Sequence, residues 1–217
     1  MKKQNSFILA IVMCIGSLTG YTHAKNEKTM VLNYDGFFDR MDDLEAPEYS
    51  SIKLAFYLRA ATGKPCDVNA VFLKTKHKSI EVYTLPDGEL LLPFDPKLDQ
   101  DKAAIVIEKN TDETCGLDMR LESTQLFTST VTVKNSLELI ETFDTAFSDL
   151  GGMMSFMLPK VQGITFLLED GNSLYLLDKS LGKCTENSCT VTTDELQRYG
   201  KSLKFNQAPK KSVAYIQ

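Results

Sequence analysis

The sequence predicts an α+β protein: a β-sandwich of about seven strands followed by a lobe made of a helix and a β-hairpin. Three observations carry this prediction. Short β-rich runs separated by turn signals crowd residues 51–133; "NSLELIETFDTAFSDL", from Asn135 to Leu150, has helical periodicity; and two apolar runs flank the turn sequence "EDGN".

The first 24 residues stand apart from that fold. Lys2 and Lys3 precede an apolar run from Phe7 to Leu18, and Thr22-His23-Ala24 puts small residues at both cleavage-determining positions. This is the pattern of a cleavable secretory signal peptide over residues 1–24. The run is too short to span a bilayer, and no later stretch approaches about twenty uninterrupted apolar residues, so no integral membrane segment is expected. Cys14 lacks the small residues that a lipoprotein signal places before its cysteine. The expectation is export to the periplasm, with a mature chain beginning near Lys25.

In residues 25–50, "TMVLNY" alternates as a strand does, and "DGFFDRMDDLE" spaces Phe37, Phe38, Met41 and Leu44 for one helix face. Asp35 is a fitting N-cap, and Pro47 stops the helix. This segment is expected to pack on the rest. The sandwich, residues 51–133, takes its strands from "SIKLAFYLRA", "VNAVFLK", "SIEVYTL", "ELLLPF", "AAIVIEK", "LDMRLES" and "QLFTSTVTV". The turns "ATGKP", "PDGE" and "DPKLDQD" lie between them.

The last lobe, residues 134–217, opens with the long helix, whose stripe is Leu137, Ile140, Phe143, Phe147 and Leu150. Asn135 with Glu138 suggests a capping box, and Gly151-Gly152 stops or kinks the helix. "GITFLLEDGNSLYLLD" reads as a hairpin, "TTDELQRYGKS" as a short capped helix and "KSVAYIQ" as a final strand.

Charge and cysteine content narrow the function. Without residues 1–24 the 24 basic side chains lose Lys2 and Lys3, leaving 22 against 29 acidic ones and a net charge of −7. Nucleic acid is an improbable partner for such a chain, because its binding depends on clustered Lys and Arg. Four cysteines remain, Cys66, Cys115, Cys184 and Cys189. An even count in an exported chain points to two disulfides, and pairing nearest neighbours gives Cys66 with Cys115 and Cys184 with Cys189. The spacing in "CTENSC" fits neither a zinc knuckle nor a C-x-x-C redox pair.

Few residues suggest chemistry, and no cofactor is implied. His77 is the single histidine outside the signal segment and lies in the basic, turn-like "KTKHKS", with no nucleophile motif nearby. Asp39, Asp42 and Asp43 spread around a helix, where solvation explains them. Asp95, Asp99 and Asp101 could approach a calcium ion, but without the spacing, central glycine or final glutamate of an EF-hand loop. The stretch "GGMMSFMLPK" is the most unusual. Met153, Met154 and Met157 have offsets that would let soft sulfur ligands converge on Cu(I), yet no histidine adjoins them. Methionine fills irregular core gaps well, so core packing is the first expectation. Because Met153, Met154, Phe156, Met157 and Leu158 leave few polar positions to turn outward, an exposed contact surface is the second.

The strings "YDGFFDRM", "LAFYLRAATGKPC", "PDGELLLPFD" and "MMSFMLPKVQGIT" resemble an uncharacterised family of exported gammaproteobacterial proteins, a domain of unknown function, over nearly the whole mature chain. That resemblance implies a periplasmic location and assigns no catalytic residue. Separately, residues 54–108, with "GKPCDVNAVFL" and "YTLPDGELLLPF", are similar to sandwiches of the transthyretin and carboxypeptidase-regulatory type. A shared fold does not carry function with it. The sequence therefore points to a non-enzymatic periplasmic binding or accessory protein whose partner is an envelope protein or a small ligand. A carboxylate-dependent hydrolase of envelope polysaccharide and a copper-handling protein are the alternatives.

Overall fold

Alternation along "IKLAFYLRA" governs the architecture, because a strand shows successive side chains to opposite faces. In the computed structural model, which describes residues 28–168 and 172–216 without the side chains of Met154 and Phe156, this stretch is β2 (Ile52–Ala60). Phe56, Leu58 and Ala60 point to one buried face, and Lys53, Tyr57 and Arg59 to the other. The expected signal peptide and the turn residues 169–171 lie outside the described residues.

The remaining strands are β1 (Thr29–Asn33), β3 (Val68–Lys74), β4 (Ser79–Glu81), β5 (Glu89–Leu90), β6 (Ala104–Lys109), β7 (Cys115–Ser123), β8 (Thr130–Val131), β9 (Val161–Leu167), β10 (Lys183–Cys184), β11 (Ser188–Thr192), β12 (Leu203–Lys204) and β13 (Lys211–Ile216). Four helices accompany them among the described residues: α1 (Asp35–Asp42), α2 (Pro96–Gln100), α3 (Val133–Gly151) and α4 (Thr193–Tyr199). The fold is α+β. A four-stranded sheet runs β1-β6-β3-β4, a seven-stranded sheet runs β10-β11-β9-β13-β7-β2-β5, and β12 pairs with β8. The paired strands are antiparallel.

Two hydrophobic cores lie along the longer sheet. The sandwich core joins Phe56, Leu58 and Leu90 to Val71, Leu73, Ile105 and Ile107 of the smaller sheet, with Phe37 of α1 and Leu98 of α2 at its margin. In the other, Leu139, Ile140, Phe143 and Ala146 of α3 pack on Ile164, Phe166 and Val191. Leu54 touches both cores. The bridges pair as the sequence suggests, Cys66 with Cys115 and Cys184 with Cys189, at Cα separations of 6.0 and 4.0 Å.

Several elements differ from the sequence expectation. The N-terminal strand is integral to the sandwich, pairing along β6 from Thr29↔Glu108 to Asn33↔Ala104. "QLFTSTVTV" yields only β8, which joins β12 instead of the sandwich. The run "SLYLLD" does not pair with β9 as a hairpin: β9 lies between β11 and β13, and the run contributes the bridge Leu176↔Phe205. Helix α3 starts at Val133 because extended Thr132 accepts the Asn135 amide hydrogen at 3.1 Å, displacing the Asn135–Glu138 box. The short helix expected in "TTDELQRYGKS" does form, and its cap is a capping box between Thr192 and Glu195.

Candidate functional site

The seven-stranded sheet opens where β7 meets β13. These strands pair at Glu122↔Val213, and continuing that register would set Leu121 against Ala214 and Met119 against Ile216. Those four residues instead line a cavity of about 500 Å³. Its other walls are Leu54 of β2, Leu167 of β9, and Phe147, Leu150 and Gly151 at the end of α3, together with Leu158. The cavity thus lies beside Leu54, at the junction of the two cores.

Local interactions hold these walls in place. Tyr49 donates its hydroxyl hydrogen to Asp149 and so ties the turn after α1 to the end of α3. That bond, and then burial, push the Tyr49 phenol up to about 12. Asp144 accepts the Val161 amide hydrogen at 3.0 Å, fixing the start of β9 beneath the helix. At Gly151 the chain passes so close to Leu158 that a Cβ would meet Leu Cδ1 at 2.4 Å.

Arg40 and Arg120 both border this apolar space, but their guanidinium groups are held differently. Arg40 of α1 is exposed and donates to the Gly36 carbonyl one turn back, and among the described residues no carboxylate pairs with it. Arg120 donates through Nε and one terminal nitrogen to Asp118 Oδ2 at 2.8 and 2.6 Å. Among the described residues, no acidic side chain lines the cavity.

On the opposite face of β2 and β7 lies a polar cluster that sequence reasoning missed. Tyr57 is fully buried, with the Arg59 and Arg120 guanidinium carbons 4.8 and 5.1 Å from its ring centroid. Its hydroxyl donates to Glu122 Oε1 at 2.6 Å and accepts from Lys211 Nζ at 2.7 Å. Lys211 also reaches Asp87 at 3.1 Å and Glu122 Oε2 at 3.5 Å, while Lys53 pairs with Glu89. Burial and the adjacent carboxylates raise the Tyr57 phenol far above its ordinary value. Burial alone would raise Asp87, but the Lys211 hydrogen bond and its neighbours bring that carboxyl below its usual value. Glu89 and Glu122 are buried against lysines in this cluster, and neither glutamate is among the residues lining the cavity. The strand alternation within "SIKLAFYLRA" and "LDMRLES" is local to each string, but the register that sets Lys53 opposite Glu122 and Tyr57 opposite Asp118 is not.

The residues singled out earlier fall in several places. Core packing fails for Met153 and Met157, which are 93% and 65% exposed on a 3₁₀ turn over Gly152–Met157. A turn that bulges from the end of α3 cannot bury its tip against the stripe below. Leu158 lines the cavity. The side chains of Met154 and Phe156 lie outside the description. His77 is exposed in a turn closed by Thr75. Asp39, Asp42 and Asp43 are solvated. Asp95 caps α2, and Asp99 and Asp101 pair with Lys102 and Lys97, so these three acids have structural roles. Among the described residues, the thiol and carboxylate atoms close enough to share a cation are those of Cys66, Glu113 and Cys115, and both sulfurs are committed to the bridge. None of the described helices is long and apolar enough to cross a membrane.

Residues 26–168 match the family described as "Protein of unknown function (DUF2987)". The chain belongs to the DUF2987 family. The match takes in α1, the sandwich strands, α3 and β9, and ends before β13, which supplies Val213, Ala214 and Ile216 to the cavity. The strings that carry the expected resemblance, between Tyr34 and Thr165, all lie within this match. No curated protein and no solved structure matches the chain.

Proposed function

We propose that this DUF2987 protein is a non-enzymatic binding protein of the periplasm, and that its ligand occupies the cavity between β7 and β13. The observation that supports this reading is an apolar space of about 500 Å³ beside Leu54, within the size range of small-molecule sites. Two disulfides and the sequence pattern of residues 1–24 support an oxidising, exported location. The turn bearing exposed Met153 and Met157 runs between two cavity-lining positions, Gly151 and Leu158. With Met154, Phe156 and Leu158 it forms the proposed contact surface through which a carrier meets an envelope partner.

A neutral fluorescent amphiphile, N-phenyl-1-naphthylamine, tests the cavity directly. The protein should bind it at one-to-one stoichiometry, and Ala214→Phe, which intrudes into the space, should weaken binding without lowering Tm. Ile216→Trp serves if that variant does not fold. Unchanged binding by folded variants of both kinds refutes the reading. Glu89 and Glu122 do not favour the hydrolase alternative, since lysines already partner them.

A further inference from the structure

We infer that the cavity takes an anionic amphiphile, a molecule with an aliphatic chain and a carboxylate or phosphate head, with Arg40 receiving the head. This rests on the cavity being a binding site. The lining is divided sharply: aliphatic and aromatic carbon from five strands and helices, plus Arg40 and Arg120, with no acid. On a chain with 29 acidic and 24 basic side chains, a lining with no acid among the described residues and one arginine free of a carboxylate partner selects by charge.

The two arginines do different work. Arg120 is held by Asp118 and lies over the Tyr57 ring, so its charge is largely answered within the protein. Arg40 has no such partner among the described residues, and it donates to a backbone carbonyl of its own helix. A guanidinium with unused donors at the edge of an apolar space suits an anionic head, to which it can donate two parallel hydrogen bonds. The hydrocarbon chain would run inward along Leu54, Leu121, Leu150 and Ala214. A neutral ligand would leave Arg40 to water, and a cationic one would meet repulsion.

Isothermal titration of the intact protein with decanoate, 1-decanol and decyltrimethylammonium tests this. Decanoate should bind about tenfold more tightly than 1-decanol, as expected for one charge-assisted contact at a solvated position. The cation should bind weakest. Arg40→Gln should remove the preference for decanoate and leave 1-decanol affinity unchanged, and added salt should narrow the gap. Decyl phosphate, set beside decanoate, distinguishes a phosphate head from a carboxylate. Equal binding of decanoate and 1-decanol, or a preference that survives in folded Arg40→Gln, overturns this inference while the cavity remains a binding site. Failure of all the probes to bind overturns both.

Discussion

Replacing Lys211 by methionine removes one charge and keeps most of the side-chain stem. The ammonium it deletes touches the Tyr57 hydroxyl at 2.7 Å, Asp87 at 3.1 Å and Glu122 at 3.5 Å. Glu122 is only 1% exposed and cannot turn to water, so the variant strands a buried carboxylate. Breaking a buried pair from one side typically costs about 3–5 kcal/mol. Lys211 itself retains 28% exposure, which lets water answer part of the loss, so about 2–4 kcal/mol is expected. For a chain of this length that lowers Tm by roughly 5–15 °C. Urea unfolding of wild type and variant, with slopes compared, gives the difference. The double variant Lys211→Met/Glu122→Gln should recover at least half of it, because the stranded charge is gone and the amide oxygen still accepts from Tyr57. A Lys211→Met protein within about 0.5 kcal/mol of wild type would show that the cluster does not depend on this lysine, and the reasoning would fail.

Three further outcomes follow from the packing. Removing the Cys66–Cys115 bridge as an alanine pair should cost about 4 kcal/mol, against about 2 for Cys184–Cys189, since the first closes a separation of 49 residues and the second one of 5; denaturant unfolding checks the order. Gly163→Ala should destabilise by about 1–3 kcal/mol, because its Cβ would sit 2.4 Å from the Val191 carbonyl oxygen across the β9–β11 pairing. Tyr49, raised to about 12 by Asp149, is neutral in both folded and unfolded chains below pH 10, so its bond contributes fully there and is lost as pH rises through 12. An ultraviolet titration should show one tyrosine ionising near that value and missing from Tyr49→Phe.

Legibility in the sequence followed the range of the interactions. The strands with strong local alternation, such as β2, β3 and β6, were readable because the pattern lies within one segment. The capped helix α4 was readable for the same reason, as were the nearest-neighbour disulfides. What escaped depends on residues far apart in the chain. β13 inserts between β7 and β9, and its separation from β7 creates the cavity; nothing in "KSVAYIQ" signals which strands it will join. The same holds for the 154-residue separation between Lys211 and Tyr57, so neither looked like part of a site. "GGMMSFM" misled in the other direction. Its composition matches a core, but the preceding helix and the close approach of Gly151 to Leu158 leave Met153 and Met157 outside.

The central claim is that the opening between β7 and β13 is a place for a ligand. Methyl-resolved NMR of the protein titrated with decanoate tests it most directly. Saturable shifts should appear at Leu54, Leu121, Leu150, Ala214 and Ile216, while Leu98 and Ile107 in the sandwich core stay fixed. Shifts absent from the first group, or no larger there than in the sandwich core, would contradict it.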